Sequence, residues 1–262
     1  MMKESMCDDV LQAHDVGVFL SDYCAWLLGC GATCIRVEKN VRRIAAAYGM
    51  DVTIAIMAHH FYLSVSDGEG RCETYLTQIK RIAISFEMNT RLSELSWRIS
   101  DGRIGFGDAC KGLQWIVSEK GRHGIGVTLL VAVANACFCR LFGGDVAAMG
   151  VVAVATLAGY SLKVDLMRRG VDVRCVFIIC AFVSAVLGAT CILFSLGDTP
   201  SIALGTSVLY LVPGIPFLNS FSDMIYRHYF CAFCRFTDAV VLTCCLSIGL
   251  CAGMMLMNAG MF

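Results

Sequence analysis

Residues 125–262 contain no glutamate and only 13 of the chain's 42 charged side chains, whereas residues 1–124 hold the other 29. A stretch so poor in charge cannot cover a water-facing surface, and its long apolar runs match the length needed to bridge ~30 Å of hydrocarbon. The whole chain is 57% hydrophobic, with a mean hydropathy of +0.69, beyond the range of an ordinary soluble domain. Two domains are therefore expected: a cytoplasmic α+β domain over residues 1–124 and a membrane domain over residues 125–262. Net charge is −1 before residue 125 and +1 after it. That leaves no basic field of the kind nucleic-acid binding requires.

Five apolar segments are legible in the second half, about Ile125–Phe142, Asp145–Ser161, Val173–Leu196, Ile202–Ser222 and Phe233–Met257. The second is short for a straight span. The fold class that follows is an α-helical integral membrane protein, lying in the lipid bilayer of the cytoplasmic (inner) membrane. Lysine and arginine favour the cytoplasmic side. Lys163, Arg168, Arg169 and Arg227 fall on the same side as the N-terminal domain, while the turn Gly197–Pro200 and the C-terminus carry neither residue type. The N-terminus is expected inside and the C-terminus outside. Only Arg140, near the outer end of the first span, departs from this bias, and it is expected to snorkel to the surface.

Two of the three prolines lie inside the fourth span, in Pro213-Gly214-Ile215-Pro216. Each lacks a backbone N–H and the glycine between them is unrestrained, so a regular helix is not expected to run through. Within hydrocarbon, freed backbone groups survive only where protein or a watery cavity satisfies them, and such breaks mark the substrate sites of many transporters. The competing reading is a kink that serves packing. Pro213, Gly214 and Pro216 are the first candidate transport residues. Asn219 and Asp223 follow one turn apart on the next half-helix and share a face. Asp223 is either a protonatable coupling group or an interfacial residue that meets water or Arg227. Asn135, near the middle of the first span, is either packing glue or a lining residue. Asp238 is expected to pair with Arg235.

Sixteen cysteines do not make a disulfide framework, because ten lie in the apolar half, where thiols act as small hydrophobes. Cys231-x-x-Cys234 has no second pair to complete a metal site. His59 and His60 are adjacent between two expected strands, so their side chains diverge and a turn role is favoured. Neither a metal nor a cofactor is expected. Residues 16–35 are apolar, but Asp22 interrupts them and Asp8, Asp9 and Asp15 precede them, which favours a core helix over a signal sequence. The N-terminal domain reads as helix over about 10–47, strands at Asp51–Met57, Phe61–Ser66 and Glu73–Lys80, and helices at Asn89–Ser100 and Phe106–Glu119.

The segment LVPGIPFLNSFSD, ending at Asp223, resembles the PG-x-P…N…D signature of the threonine/serine exporter (ThrE) family. The run LLGCGATCIRVEKNVRRIAAAYGMDVTIAIMAHHFYLSVSD, ending at Asp67, is similar to that family's cytoplasmic region, including Arg36 and Glu38. The resemblance extends from about residue 20 to 255. Full-length members have ten spans, so five spans resemble the short split form (YjjP-type), whose other half is a separate small membrane subunit (YjjB-type). The resemblance implies export of small amino acids such as threonine and serine, or of a dicarboxylate such as succinate; a proton gradient, coupled through Asp223, is the expected driving force. Two further classes stay open. One is a membrane-anchored enzyme with a hydrolase-like N-terminal domain, for which His60, Asp67 and Glu69 are the available acid–base groups. The other is a regulatory subunit that does not itself transport.

Overall fold

The computed structural model describes residues 13–68, 71–80, 82–119 and 124–257. Asp8, Asp9, Glu69 and the start of the first expected helix lie outside the described residues. The chain divides into two compact units, one of Met1–Gly121 with Pro216–Arg235 and one of Arg122–Ile215 with Phe236–Phe262. The expected domains were two contiguous blocks; the units are not contiguous, because Pro216–Arg235 groups with the N-terminal residues.

In the first unit, α1 (Ala13–Gly29) and α2 (Cys34–Ala47) precede the antiparallel strands β1 (Asp51–Ile56), β2 (His60–Ser66) and β3 (Cys72–Gln78). The sheet order is β1-β2-β3, with Leu63 opposite both Ile54 and Tyr75. Alternation puts Phe61, Leu63 and Val65 on one face, fully buried, while Tyr62 points outward. The buried face joins Leu20, Tyr23 and Leu27 of α1 in the same core, which makes residues 16–29 a core helix as expected. Two more helices, α3 (Phe86–Ser100) and α4 (Phe106–Ser118), close the core through Leu92, Leu95 and Leu113. Ser85 caps α3 by accepting a hydrogen bond from the Met88 N–H at 3.2 Å.

The single helix expected over 10–47 is in fact two. Gly31 adopts φ +92°, with its N–H on the Leu28 carbonyl and the Ala32 N–H on that of Leu27. This double bond pattern ends a helix at a left-handed residue, a conformation that costs glycine nothing. The loop Cys30–Thr33 that results becomes important below.

In the second unit, α5 (Ile125–Leu141), α6 (Val146–Arg168), α7 (Val173–Leu193) and α8 (Pro200–Thr206) are followed by a 3-10 turn at Leu209–Leu211. Next come α9 (Gly214–Ile225) and α10 (Tyr229–Leu256), which begin or end in the other unit. Among the described residues, α6, α7 and α10 are long and apolar enough to cross a bilayer. A fourth span results if Pro200–Leu211 and Gly214–Ile225 count as one broken segment, and α5 is apolar but only 17 residues long. The protein is thus mostly helical, with three or four apolar spans by length and composition, and a small sheet near its N-terminus.

Helix α6 corrects the expected second span and basic loop. It continues past Ser161 through Lys163 to Arg168, because Leu162, Leu166 and the 2.8 Å Asp165–Arg169 ion pair extend the helix until Gly170. In α10, Gly249 and Gly253 lie one turn apart against α7. A Cβ on Gly253 would stand 2.6 Å from the Ala185 Cβ and 3.0 Å from the Phe182 carbonyl. Glycines at this spacing let two helices touch backbone to backbone.

Candidate functional site

The fourth apolar segment is interrupted, but upstream of the expected place: the irregular stretch precedes Gly214, and Pro216 falls in the first turn of a regular helix, where its missing N–H breaks no bond. Helix α8 stops at Thr206, the 3-10 turn stops at Leu211, and α9 begins at Gly214 directly after Pro213. The Gly214 N–H donates to the Val212 carbonyl at 2.8 Å. Pro216 has no N–H to offer, so the first turn of α9 presents fewer free donors than an ordinary helix start.

A broken helix leaves carbonyls without partners, and Asn135 meets one of them. Its Nδ2 donates to the Thr206 carbonyl at 3.1 Å and to Thr156 Oγ at 2.6 Å. Asn135 is 4% exposed, so its amide joins α5, α6 and the end of α8 within a dry interior. The Thr156, Ser184 and Ser207 side chains are equally buried, and the hydroxyls of Ser184 and Tyr210 lie 3.0 Å apart. Sequence reading missed these hydroxyls. A Ser or Thr inside an apolar run is a weak signal, since each can satisfy itself on its own helix, as Thr206 does on the Ile202 carbonyl at 2.7 Å.

In the other unit, Asn219 and Asp223 converge on the loop between α1 and α2. Asn219 Nδ2 donates to the Gly31 carbonyl at 2.8 Å. Asp223 is fully buried; its Oδ1 accepts the Cys34 N–H at 2.9 Å and its Oδ2 lies 2.8 Å from Arg235 Nη1. That second contact is an ion pair without the alignment of a hydrogen bond, since neither atom has a hydrogen-bond partner. Arg235 Nη2 donates to the Ala32 carbonyl at 2.9 Å. Three side chains therefore hold three consecutive peptide groups of one loop.

The chemistry of this clasp follows from α2. Its cap residue, Thr33, makes no side-chain capping bond, so the orphan Cys34 N–H is satisfied by a carboxylate 189 positions away in sequence. An anion there also complements the positive end of the helix. Local spacing led to an expected Arg235–Asp238 pair and offered Arg227 as one alternative partner for Asp223. Arg235 instead turns to the buried carboxylate, because an unpaired charge in a dry interior is far costlier than one at the surface. Nearby, Cys231 Sγ donates to the Ile56 carbonyl at 3.2 Å. The Cys34 thiol is held well above its ordinary range by its hydrogen bond with Cys231 and by burial.

Other candidates disperse. Arg36 donates to Asn89 Oδ1 at 3.0 Å, and Glu38 lies 3.5 Å from His228, so both serve packing. His60 opens β2, whereas Asp67 follows its last residue and accepts the Arg71 N–H at 2.9 Å. At about 3.3 Å per strand residue, these two groups are roughly 20 Å apart and cannot act on one bond. Arg140 donates to the Gly144 carbonyl at 3.1 Å at the end of α5.

Several apolar helices of membrane-crossing length, one interrupted segment and buried polar groups beside it are the marks of a multi-pass membrane protein. The chain belongs to the ThrE family: residues 18–257 match the family described as "Putative threonine/serine exporter". It is similar to the "Probable succinate transporter subunit YjjP" of Klebsiella aerogenes, with 26% identity over 225 residues, covering 86% of this chain and 87% of the relative. The protein of the same name from Escherichia coli K12 is 24% identical over 238 residues, covering 86% and 88%. No solved structure matches. The family and these relatives are transporters, not enzymes.

Proposed function

We propose that this chain is one subunit of a secondary active exporter in the cytoplasmic membrane, working with a second small membrane subunit of YjjB type. Five segments cross the bilayer, α5 among them, and the fourth is the broken one. The N-terminal domain and the basic ends of the spans lie inside, and the C-terminus lies outside. An odd span count would place a following five-helix unit upside down, the arrangement of inverted-repeat carriers. The cargo is a dicarboxylate such as succinate, with threonine and serine as the alternative, and it moves against an inward flow of protons.

The observation that carries this reading is the interruption at Val212–Pro213, bordered by Pro216, Asn219 and Asp223 on α9. Asn135, on the Thr206 carbonyl, supports the break from the preceding side. In this scheme Pro213, Gly214 and Pro216 open the backbone, Asn219 offers its amide to cargo, Asn135 holds the backbone at the break, and Asp223 carries the proton. The names of the relatives favour the dicarboxylate. The test is flux: liposomes holding both subunits should release succinate when a pH gradient is imposed, and an absence of flux with both halves present contradicts the reading.

A second reading draws on the clasp. Asn219, Asp223 and Arg235 all hold the α1–α2 loop, so the chain could act as a gate for its partner and carry no cargo itself. Replacing Asp223 by Asn preserves the acceptor for Cys34 but removes both the proton site and the counter-charge of Arg235, so the discriminating readout is the response of flux to a pH gradient, which a pure gate keeps and a proton-coupled path loses.

A further inference from the structure

We propose that Lys163 is the carboxylate anchor of the transport path, with the hydroxyl pair of Ser184 and Tyr210 completing the anion's hydrogen bonds. This inference rests on the exporter reading and deepens it by naming a residue that selects the cargo.

Lys163 lies five residues before the end of α6 and is only partly exposed. Its ammonium sits 5.3 Å from the centre of the Phe177 ring, with Cys180 of α7 nearby. Among the described residues it has no carboxylate partner. Neighbouring charges behave differently: Asp165 and Arg169 neutralise one another on the exposed side of the same helix. An aromatic face stabilises a cation but leaves its three N–H donors unused. A half-buried ammonium with no carboxylate beside it among the described residues is a positive charge available to an anionic cargo.

Polar groups lead to it. On α6, Thr156, Gly159 and Lys163 recur at helical spacing on one face, over a rise of about 10 Å. On α7, Phe177, Cys180 and Ser184 do the same. Tyr210, in the turn just before the break, bonds Ser184 at 3.0 Å, and the absence of a side chain at Gly159 makes room for its hydroxyl. The Tyr210 and Ser184 hydroxyls both lie against Gly159, one turn from Lys163 on α6, and Phe177 beneath the ammonium packs in the same cluster as Tyr210. A carboxylate placed there would meet one positive charge and the one O–H that the Ser184–Tyr210 bond leaves free, a recognition set that favours an anion over a neutral amide.

The test uses the full chain with its partner subunit in liposomes, and reads the KM for succinate. Lys163→Gln should raise it at least about tenfold through loss of a charge-assisted bond, while Lys163→Arg stays within about threefold. Tyr210→Phe should give an intermediate increase. A wild-type KM in Lys163→Gln overturns the anchor while leaving the exporter reading intact. Equal inactivity of Lys163→Gln and Lys163→Arg at normal membrane abundance also overturns it, since charge would then not be what matters. Absence of flux in the unaltered protein overturns both.

Discussion

The side-chain oxygen Oδ1 of Asp223 lies 2.9 Å from the backbone nitrogen of Cys34, so a carboxylate late in the chain caps a helix near its start. This bond, with that of Asn219 to the Gly31 carbonyl, ties α9 to the first unit, with which Pro216–Arg235 groups. It also fixes the carboxylate in a place where protonation would weaken an ion pair with Arg235 and a helix cap together.

Replacing Asp223 by Ala should destabilise the protein by about 3–5 kcal/mol, because Arg235 is left as an uncompensated, largely buried charge. Thermal unfolding in detergent measures it. The double variant Asp223→Ala with Arg235→Leu should recover part of the loss. Purely additive losses would show that the two groups are not coupled.

Replacing Asn135 by Leu removes the donor that satisfies the Thr206 carbonyl. An unpaired buried carbonyl costs about 1–3 kcal/mol, so the melting temperature should fall. Thr156→Val, which removes only the Oγ that Asn135 donates to, should cost less than Asn135→Leu in the same assay.

The Cys34 thiol should stay protonated and unreactive in the folded protein, since its hydrogen bond with Cys231 and its burial both raise its pKa. Only the thiolate attacks an alkylating reagent. Mass spectrometry after maleimide treatment at pH 8 should find Cys72, exposed on β3, labelled well before Cys34. Denaturant should abolish the difference. Equal labelling rates in the folded state would contradict the buried pairing.

Gly253→Leu should part α10 from α7, because its side chain would meet the Ala185 Cβ and the Phe182 carbonyl. Overpacking of this kind costs about 1–3 kcal/mol. A cysteine cross-linking survey between the two helices would report the separation directly, and unchanged cross-links would count against the close contact.

Features encoded in neighbouring residues were legible in the sequence. Alternation marked the three strands to within two residues at each end, and Pro213 marked the break before Gly214. Glycine placement was harder to read: Gly29 and Gly31 interrupt a helical pattern without saying which one ends it, and the answer depends on a left-handed φ at Gly31. Pairing across the chain was not legible at all. Asp223 has Arg227 one turn ahead in sequence, yet its ion pair is with Arg235, because burial against the α1–α2 loop decides which cation comes within reach. Spacing rules describe one helix at a time, and the clasp is made by three.

The most direct test of the account is the response of Asp223→Asn to an imposed proton gradient. Asparagine keeps an oxygen for the Cys34 N–H but cannot gain and lose a proton at neutral pH. In liposomes containing both subunits, the unaltered chain should export succinate faster when the gradient is applied, and the variant's rate should not respond to it. If Asp223→Asn accelerates as the original does, the carboxylate carries no proton and the coupling role assigned to α9 is wrong.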